Sequence, residues 1–333
     1  MKKAIITMNE IEHIKSCFFG IPKNGIKVIW EVTNNCQLNC IHCCNSIRRH
    51  CQKDRTDISF AKAKNIIEEL NQYQIGKIVL TGGDPLEYTH IFKLIKYIQS
   101  FDIDVSLSTN GTLLGQYYDK IIEVSPLKIV IGIYGFLPHT NDNFCRKIGS
   151  FNQILSGVEK LLSHGIEVEF HYTVNNRNVY EVEDLINYAN EKGIKVSLSN
   201  IIQIKEHPLI SEYIISEEGF ENALIQINPA RYSNVQYIRN KKGILERCPA
   251  GDKIIGILSN GKFTPCPWLS NFSRDYDTNN LENVFEFTKS LDKFFHNSLC
   301  NKCSISKCGK GCPAAALSIQ KTFDPLCPRR KKK

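Results

Sequence analysis

The fold class this sequence predicts is α/β, a parallel sheet curved or closed as a partial (β/α)6 barrel of TIM-like type. A C-terminal cysteine-rich segment follows it. Three observations carry that expectation. Six short apolar, β-rich runs alternate with five stretches of helical period, and Gly76, Gly165 and Gly193 fall between a helix and the next strand. Alternation of this kind with short connections builds βαβ units, and βαβ units build a parallel sheet.

The strands are expected at 25–33, 77–81, 103–109, 128–134, 166–174 and 194–200, and the helices at 60–73, 91–100, 115–124, 151–163 and 179–191. In Ile66-Ile67-Glu68-Glu69-Leu70 the apolar positions recur at helical spacing. Residues 1–25 read as an N-terminal extension, 26–200 as the barrel and 201–247 as an irregular bridge. From 248 to 333, Cys, Pro and Gly dominate, with one brief helical stretch at 284–295. So little apolar sequence cannot build its own core, so that last segment is expected to depend on metal. In barrels of this type the site lies at the carboxyl ends of the strands.

Composition narrows the function. The 333 residues are 42% hydrophobic and 23% charged, which excludes disorder and low-complexity architecture. No apolar run reaches the roughly 18 residues needed to span a bilayer. The N-terminus meets charge before it builds a signal-peptide core, so a soluble cytoplasmic protein is expected. Forty-two basic against 34 acidic residues gives +8, but the five residues from Arg329 to Lys333 are all basic, leaving +3 for the rest. That is too little for a nucleic-acid surface.

Cysteine is the anomaly. The chain has 14, and all but Cys145 fall into an early and a late group. In a reduced compartment clustered cysteines serve metal or catalysis, not disulfides. After the first strand, Cys36, Cys40 and Cys43 have the spacing C-x3-C-x2-C. Three thiolates are one short of a closed zinc tetrahedron, whereas a [4Fe–4S] cluster on three cysteines keeps one iron open. Zinc or a redox thiol stays as the alternative for this motif by itself. The second strand ends in Gly82-Gly83-Asp84-Pro85, where glycines allow close backbone approach and a carboxylate can hold an ammonium. The third ends in Ser106-Leu107-Ser108-Thr109-Asn110-Gly111-Thr112, which puts hydroxyls and an amide at the same sheet edge.

Taken in this order, these segments resemble the radical S-adenosylmethionine (SAM) superfamily over roughly residues 25–200. The resemblance implies that Cys36, Cys40 and Cys43 ligate a cluster whose fourth iron is chelated by SAM. It places His42 near the adenine, and gives Gly82, Gly83 and Asp84 the methionine amino group. Thr109 and Asn110 lie near SAM, and Arg146 pairs with the SAM carboxylate. Gly132-Ile133-Tyr134-Gly135 departs from the usual Ser-Leu-Asp-Gly, so a serine contact to the ribose is missing.

The late cysteines resemble the SPASM extension, which carries two auxiliary [4Fe–4S] clusters, with one residue fewer than usual between Cys303 and Cys308. By that resemblance Cys248, Cys266 and Cys312 share one cluster, and Cys300, Cys303, Cys308 and Cys327 complete the other. A zinc ribbon is the alternative. Cys17, Cys44, Cys51 and Cys145 are left over and read as inert thiols, Cys145 being the best placed of them to give a hydrogen atom to a substrate radical. His90, His139, His164 and His171 show no ligand spacing.

The family resemblance implies reductive cleavage of SAM to a 5′-deoxyadenosyl radical that takes hydrogen from substrate. The leading expectation is maturation of a ribosomally made peptide, by crosslinking, thioether formation or epimerisation. It calls for a reductant such as flavodoxin or ferredoxin, and for leader recognition by a separate leader-binding protein or a different surface. The alternatives are oxidation of a small molecule such as a sugar alcohol, a cofactor or haem biosynthesis step, and an iron–sulfur electron carrier.

Overall fold

The computed structural model describes residues 14–15, 25–43, 57–200, 209–228, 232–238, 248–275 and 286. In chain order the first elements are β1 (Ile14–Lys15), β2 (Ile26–Thr33), α1 (Phe60–Leu70), β3 (Ile75–Gly82), α2 (Ile91–Gln99) and β4 (Asp104–Thr109). Then come α3 (Leu114–Val124), β5 (Lys128–Ile133), α4 (Pro138–Cys145), α5 (Ser150–Leu162), β6 (Val168–Val174), α6 (Val182–Glu191) and β7 (Lys195–Asn200). The last are α7 (Ile210–Tyr213), α8 (Glu217–Ile227), β8 (Val235–Ile238), β9 (Ile254–Ile257) and β10 (Phe263–Thr264).

All strands join one sheet in the order β1-β8-β7-β6-β5-β4-β3-β2-β9-β10. The six central strands β2 to β7 are the six expected, parallel and in sequence order. The sheet continues past both expected boundaries. The 201–247 bridge supplies two helices and β8, which pairs parallel to β7. Residues from the expected C-terminal segment supply β9, parallel to β2, and β10, antiparallel to β9. These extra strands are two to four residues long, too short to leave a periodic signature.

One face of the sheet carries Val28, Trp30, Ile78, Leu80, Val105, Leu107, Ile129 and Ile131, all buried against Ile66, Ile67, Leu94, Ile98, Ile121 and Val158 of the helices. Most of the alternate positions are polar: on that opposite face Lys128 pairs with Glu169, whose other oxygen accepts from Ser197 Oγ at 2.6 Å. A polar inner face leaves the barrel mouth, at the strand ends, as the place where loops assemble chemistry. Gly165 and Gly193 end helices in left-handed conformation as expected, but Gly76 lies within β3. The short helix α4 was not foreseen, since its polar sequence Pro138-His139-Thr140-Asn141-Asp142 carries little helical periodicity. No helix among the described residues is long and apolar enough to cross a membrane.

Candidate functional site

The chain leaves β2 at Thr33 and enters the cysteine loop, which is anchored by two buried apolar residues, Leu38 and Ile41. The loop is stitched to the carboxyl end of α4. Asn39 N donates to Cys145 O at 3.2 Å and Ile41 N to Phe144 O at 3.1 Å, satisfying carbonyls that a helix end leaves open. Cys36, Cys40 and Cys43 are half-buried. Among the described residues no three His, Cys, Asp or Glu side chains converge as a single metal ion requires. Three thiols leave a closed zinc tetrahedron one ligand short and suit a [4Fe–4S] cluster that keeps one iron open. The donors around Cys36 fit a thiolate as well: Leu38 N and Asn110 Nδ2 each lie 3.5 Å from its sulfur.

The Gly-Gly-Asp turn packs on that loop. A Cβ on Gly82 would lie 2.3 Å from Thr33 O, and one on Gly83 would lie 2.0 Å from Asn35 O. The close approach that these glycines permit is therefore to the chain's own backbone, where Gly83 N donates to Thr33 O and Asp84 N to Asn35 O. Asp84 is fully buried. Its Oδ1 accepts from Leu86 N at 2.9 Å, capping the turn Pro85–Glu87, and its Oδ2 accepts from Thr109 Oγ1 at 2.8 Å and Asn110 N at 3.1 Å. Burial pushes the carboxyl above its ordinary pKa, against those three bonds. Asp84 thus clasps the ends of β3 and β4 together.

The other flank is aromatic. His42 sits 4.6 Å from the Tyr134 ring and 4.9 Å from Phe144, Tyr134 stacks on Phe144 at 4.9 Å, and Tyr213 meets Phe144 edge-on. Burial, with His171 nearby, lowers the His42 pKa to about 4, so its imidazole is neutral at pH 7. Tyr134 is held through its backbone: its N donates to Asn141 Oδ1 and its O accepts from Asn178 Nδ2, both partners fully buried. Glu181 fixes the next turn by accepting from Phe136 N, Leu137 N and Thr140 Oγ1. A Cβ on Gly132 would lie 2.6 Å from Tyr134 Oη, so the tyrosine hydroxyl occupies the space over the position where the resembled motif has serine.

The remaining expected residues divide. Thr109 and Asn110 lie at the site beside Asp84. Arg146 is exposed and left-handed at the end of α4. Cys145 is fully buried at the end of α4, next to Phe144. Cys248 and Cys266 lie in the β9–β10 region, where Gly251 N donates to Pro265 O. Cys300, Cys303, Cys308, Cys312 and Cys327 lie outside the described residues, as do Cys17, Cys44, Cys51 and the helix expected at 284–295 apart from Glu286. Sequence reading assigned no role to Gln37, Asn141, Asn178 and Glu181. Gln37 lies inside the cysteine motif; the other three carry no local signal.

Residues 30–189 match the family model described as Radical SAM superfamily. The chain carries a radical SAM domain. Among curated relatives, pre-heme d1 synthase of Dinoroseobacter shibae is 30% identical over 191 residues, covering 55% of this chain and 45% of that protein. AdoMet-dependent heme synthase of Methanosarcina barkeri is 25% identical over 336 residues, covering 90% of this chain and 95% of that one. Mycofactocin maturase MftC of Mycobacterium tuberculosis is 25% identical over 178 residues, 53% of this chain and 44% of that protein. The chain thus spans about half the length of some relatives and nearly all of another. Among solved structures, Streptococcus suis SuiB bound to S-adenosylmethionine matches with TM-score 0.71 at 14% identity, over 91% of this chain and 77% of that one. At that identity the likeness shows the fold alone.

Proposed function

We propose that this protein cleaves S-adenosylmethionine reductively at Cys36, Cys40 and Cys43 and abstracts a hydrogen atom from a tetrapyrrole of the haem series. The observation that supports SAM chemistry is the meeting, at one end of the parallel sheet, of the three half-buried thiols, the Asp84–Thr109–Asn110 clasp and the His42–Tyr134–Phe144 stack. A [4Fe–4S] cluster held by the three thiolates would supply the electron for cleavage and an open iron for SAM.

The chain's own residues bind, orient and exclude water. The aromatic stack offers flat apolar surface suited to an adenine. His42, neutral through burial, adds no positive charge beside the cationic sulfonium. Asp84 keeps Thr109 and Asn110 in place. Arg146, exposed at the rim, is the candidate partner for the SAM carboxylate. The seven late cysteines, Cys248 and Cys266 among them, are the candidate ligands of two auxiliary clusters, and a flavodoxin or ferredoxin is the candidate reductant. Anaerobic reconstitution tests the cluster reading: about 12 iron per chain are expected, three four-iron clusters. Stoichiometric zinc in place of iron would overturn it.

The substrate class rests on alignment span. The relative aligned over 95% of its length, and over 90% of this chain, is a heme synthase. A peptide substrate is the second reading, favoured by the match to MftC and by the fold likeness to SuiB bound to its precursor peptide SuiA, at TM-score 0.70 and 14% identity. Mass spectrometry of anaerobic reactions with tetrapyrrole precursors of haem, and separately with a peptide encoded beside the gene, decides between them. A mass change in the peptide and none in any tetrapyrrole would reverse the order.

A further inference from the structure

We infer that Gln37, Asn110 and Thr112 form a relay that aims the Asn110 side-chain N–H at the Cys36 sulfur and so raises the reduction potential of the cluster that sulfur would hold. This rests on the cluster reading above. Three donors converge on one oxygen: Asn110 Oδ1 accepts from Thr112 Oγ1 at 2.8 Å, from Thr112 N at 3.0 Å and from Gln37 Nε2 at 3.1 Å. That convergence settles which end of the amide is which. Turning it over would set an N–H against the Thr112 backbone N–H, which can only donate, and leave that donor without its acceptor. The other end, Nδ2, is then committed to Cys36 Sγ at 3.5 Å.

The relay has a rigid base. Asn110 N donates to Asp84 Oδ2 at 3.1 Å, and Asp84 is fully buried and bonded to Leu86 and Thr109 as well. Gln37 Nε2 also donates to Thr112 Oγ1, so the residue after Cys36 is tied to the turn after Asn110 twice. Leu38 N adds a backbone donor to the same sulfur at 3.5 Å. Donors aimed at a ligating sulfur stabilise the reduced, more negative cluster more than the oxidised one, which raises its potential. Asn110 therefore acts on the cluster through Cys36 as a positioning residue, and Gln37 acts through Asn110.

The alternative is that the same bonds only hold residues 36–38 against 110–112. Asn110→Asp separates the two roles. It keeps an oxygen for Gln37 and Thr112 but turns the N–H toward sulfur into a carboxylate oxygen. The experiment is an EPR-monitored redox titration of the reconstituted full-length protein without SAM. The spectrum of a Cys36→Ala, Cys40→Ala, Cys43→Ala variant is subtracted to remove signals of other clusters. The expected result is a midpoint potential lower than wild type in Asn110→Asp and lowered by a smaller amount in Gln37→Leu, at wild-type iron content. Equal potentials at equal iron content would overturn the relay. Should Asn110→Asp take up no iron, Gln37→Leu decides by the same criterion. A wild-type chain showing no signal beyond that of the triple variant would instead sink the cluster reading itself.

Discussion

The two flanks of the cysteine loop are held by different physics. On the β3–β4 side, directional bonds do it: Asp84 accepts from Leu86, Thr109 and Asn110, and Gly83 lies against the Asn35 carbonyl with no room for a side chain. On the β5–α4 side, rings do it: His42, Tyr134, Phe144 and Tyr213 pack face and edge. The polar flank is brittle, because each buried donor there has a designated acceptor and a lost acceptor leaves an orphan. The aromatic flank is tolerant, because stacking gives up little when one atom is removed.

Removing the loop's own chemistry should have the largest effect. Changing Cys36, Cys40 and Cys43 together to Ala is expected to remove about four iron from the reconstituted protein and to abolish SAM cleavage, as read by iron analysis and chromatography of 5′-deoxyadenosine. Retained cleavage would break the assignment of both flanks at once.

The comparison itself is tested by paired glycines. Gly83→Ala drives a Cβ into backbone that cannot yield, and a loss of about 3 kcal/mol is expected in urea denaturation of the apoprotein. Gly132→Ala meets only the far end of the Tyr134 side chain and should cost about 1 kcal/mol. Equal costs would erase the distinction between a brittle and a tolerant flank.

Asp84→Ala orphans the Leu86 and Asn110 amides and the Thr109 hydroxyl, and should cost about 2–3 kcal/mol in the apoprotein, before SAM is added. A variant with wild-type apoprotein stability but weakened SAM affinity by calorimetry would assign Asp84 to direct ligand contact instead. Tyr134→Phe should be the mildest change. The hydroxyl bonds to no described residue, so apoprotein stability should stay within about 0.5 kcal/mol.

Much of the barrel was legible because its signals are local. A helix such as α1 shows its buried face at Ala63, Ile66, Ile67 and Leu70, and Ser59 caps it through Lys62 N. The strands β2 to β7 show as apolar runs for the same reason. The cysteine spacing was legible too, since three ligands on one loop need no folding to become neighbours. Strands β8 to β10 were not, because two to four residues cannot display a period and their pairing depends on which sheet edge is free.

Gly82-Gly83-Asp84 shows what sequence alone determined and what it left open. The motif and its place at a strand end were readable; the object each residue approaches was not. The glycines meet the chain's own loop backbone, and the carboxylate meets Thr109 and Asn110, 25 and 26 residues away. The same holds for Asn110, a strand-end amide in sequence, whose N–H is aimed at Cys36 once Gln37 and Thr112 claim its oxygen. Residue types and their spacing determine which groups can donate and accept. Which donor finds which acceptor depends on long-range register, and that is set when the strands pair and the helices bury their apolar faces.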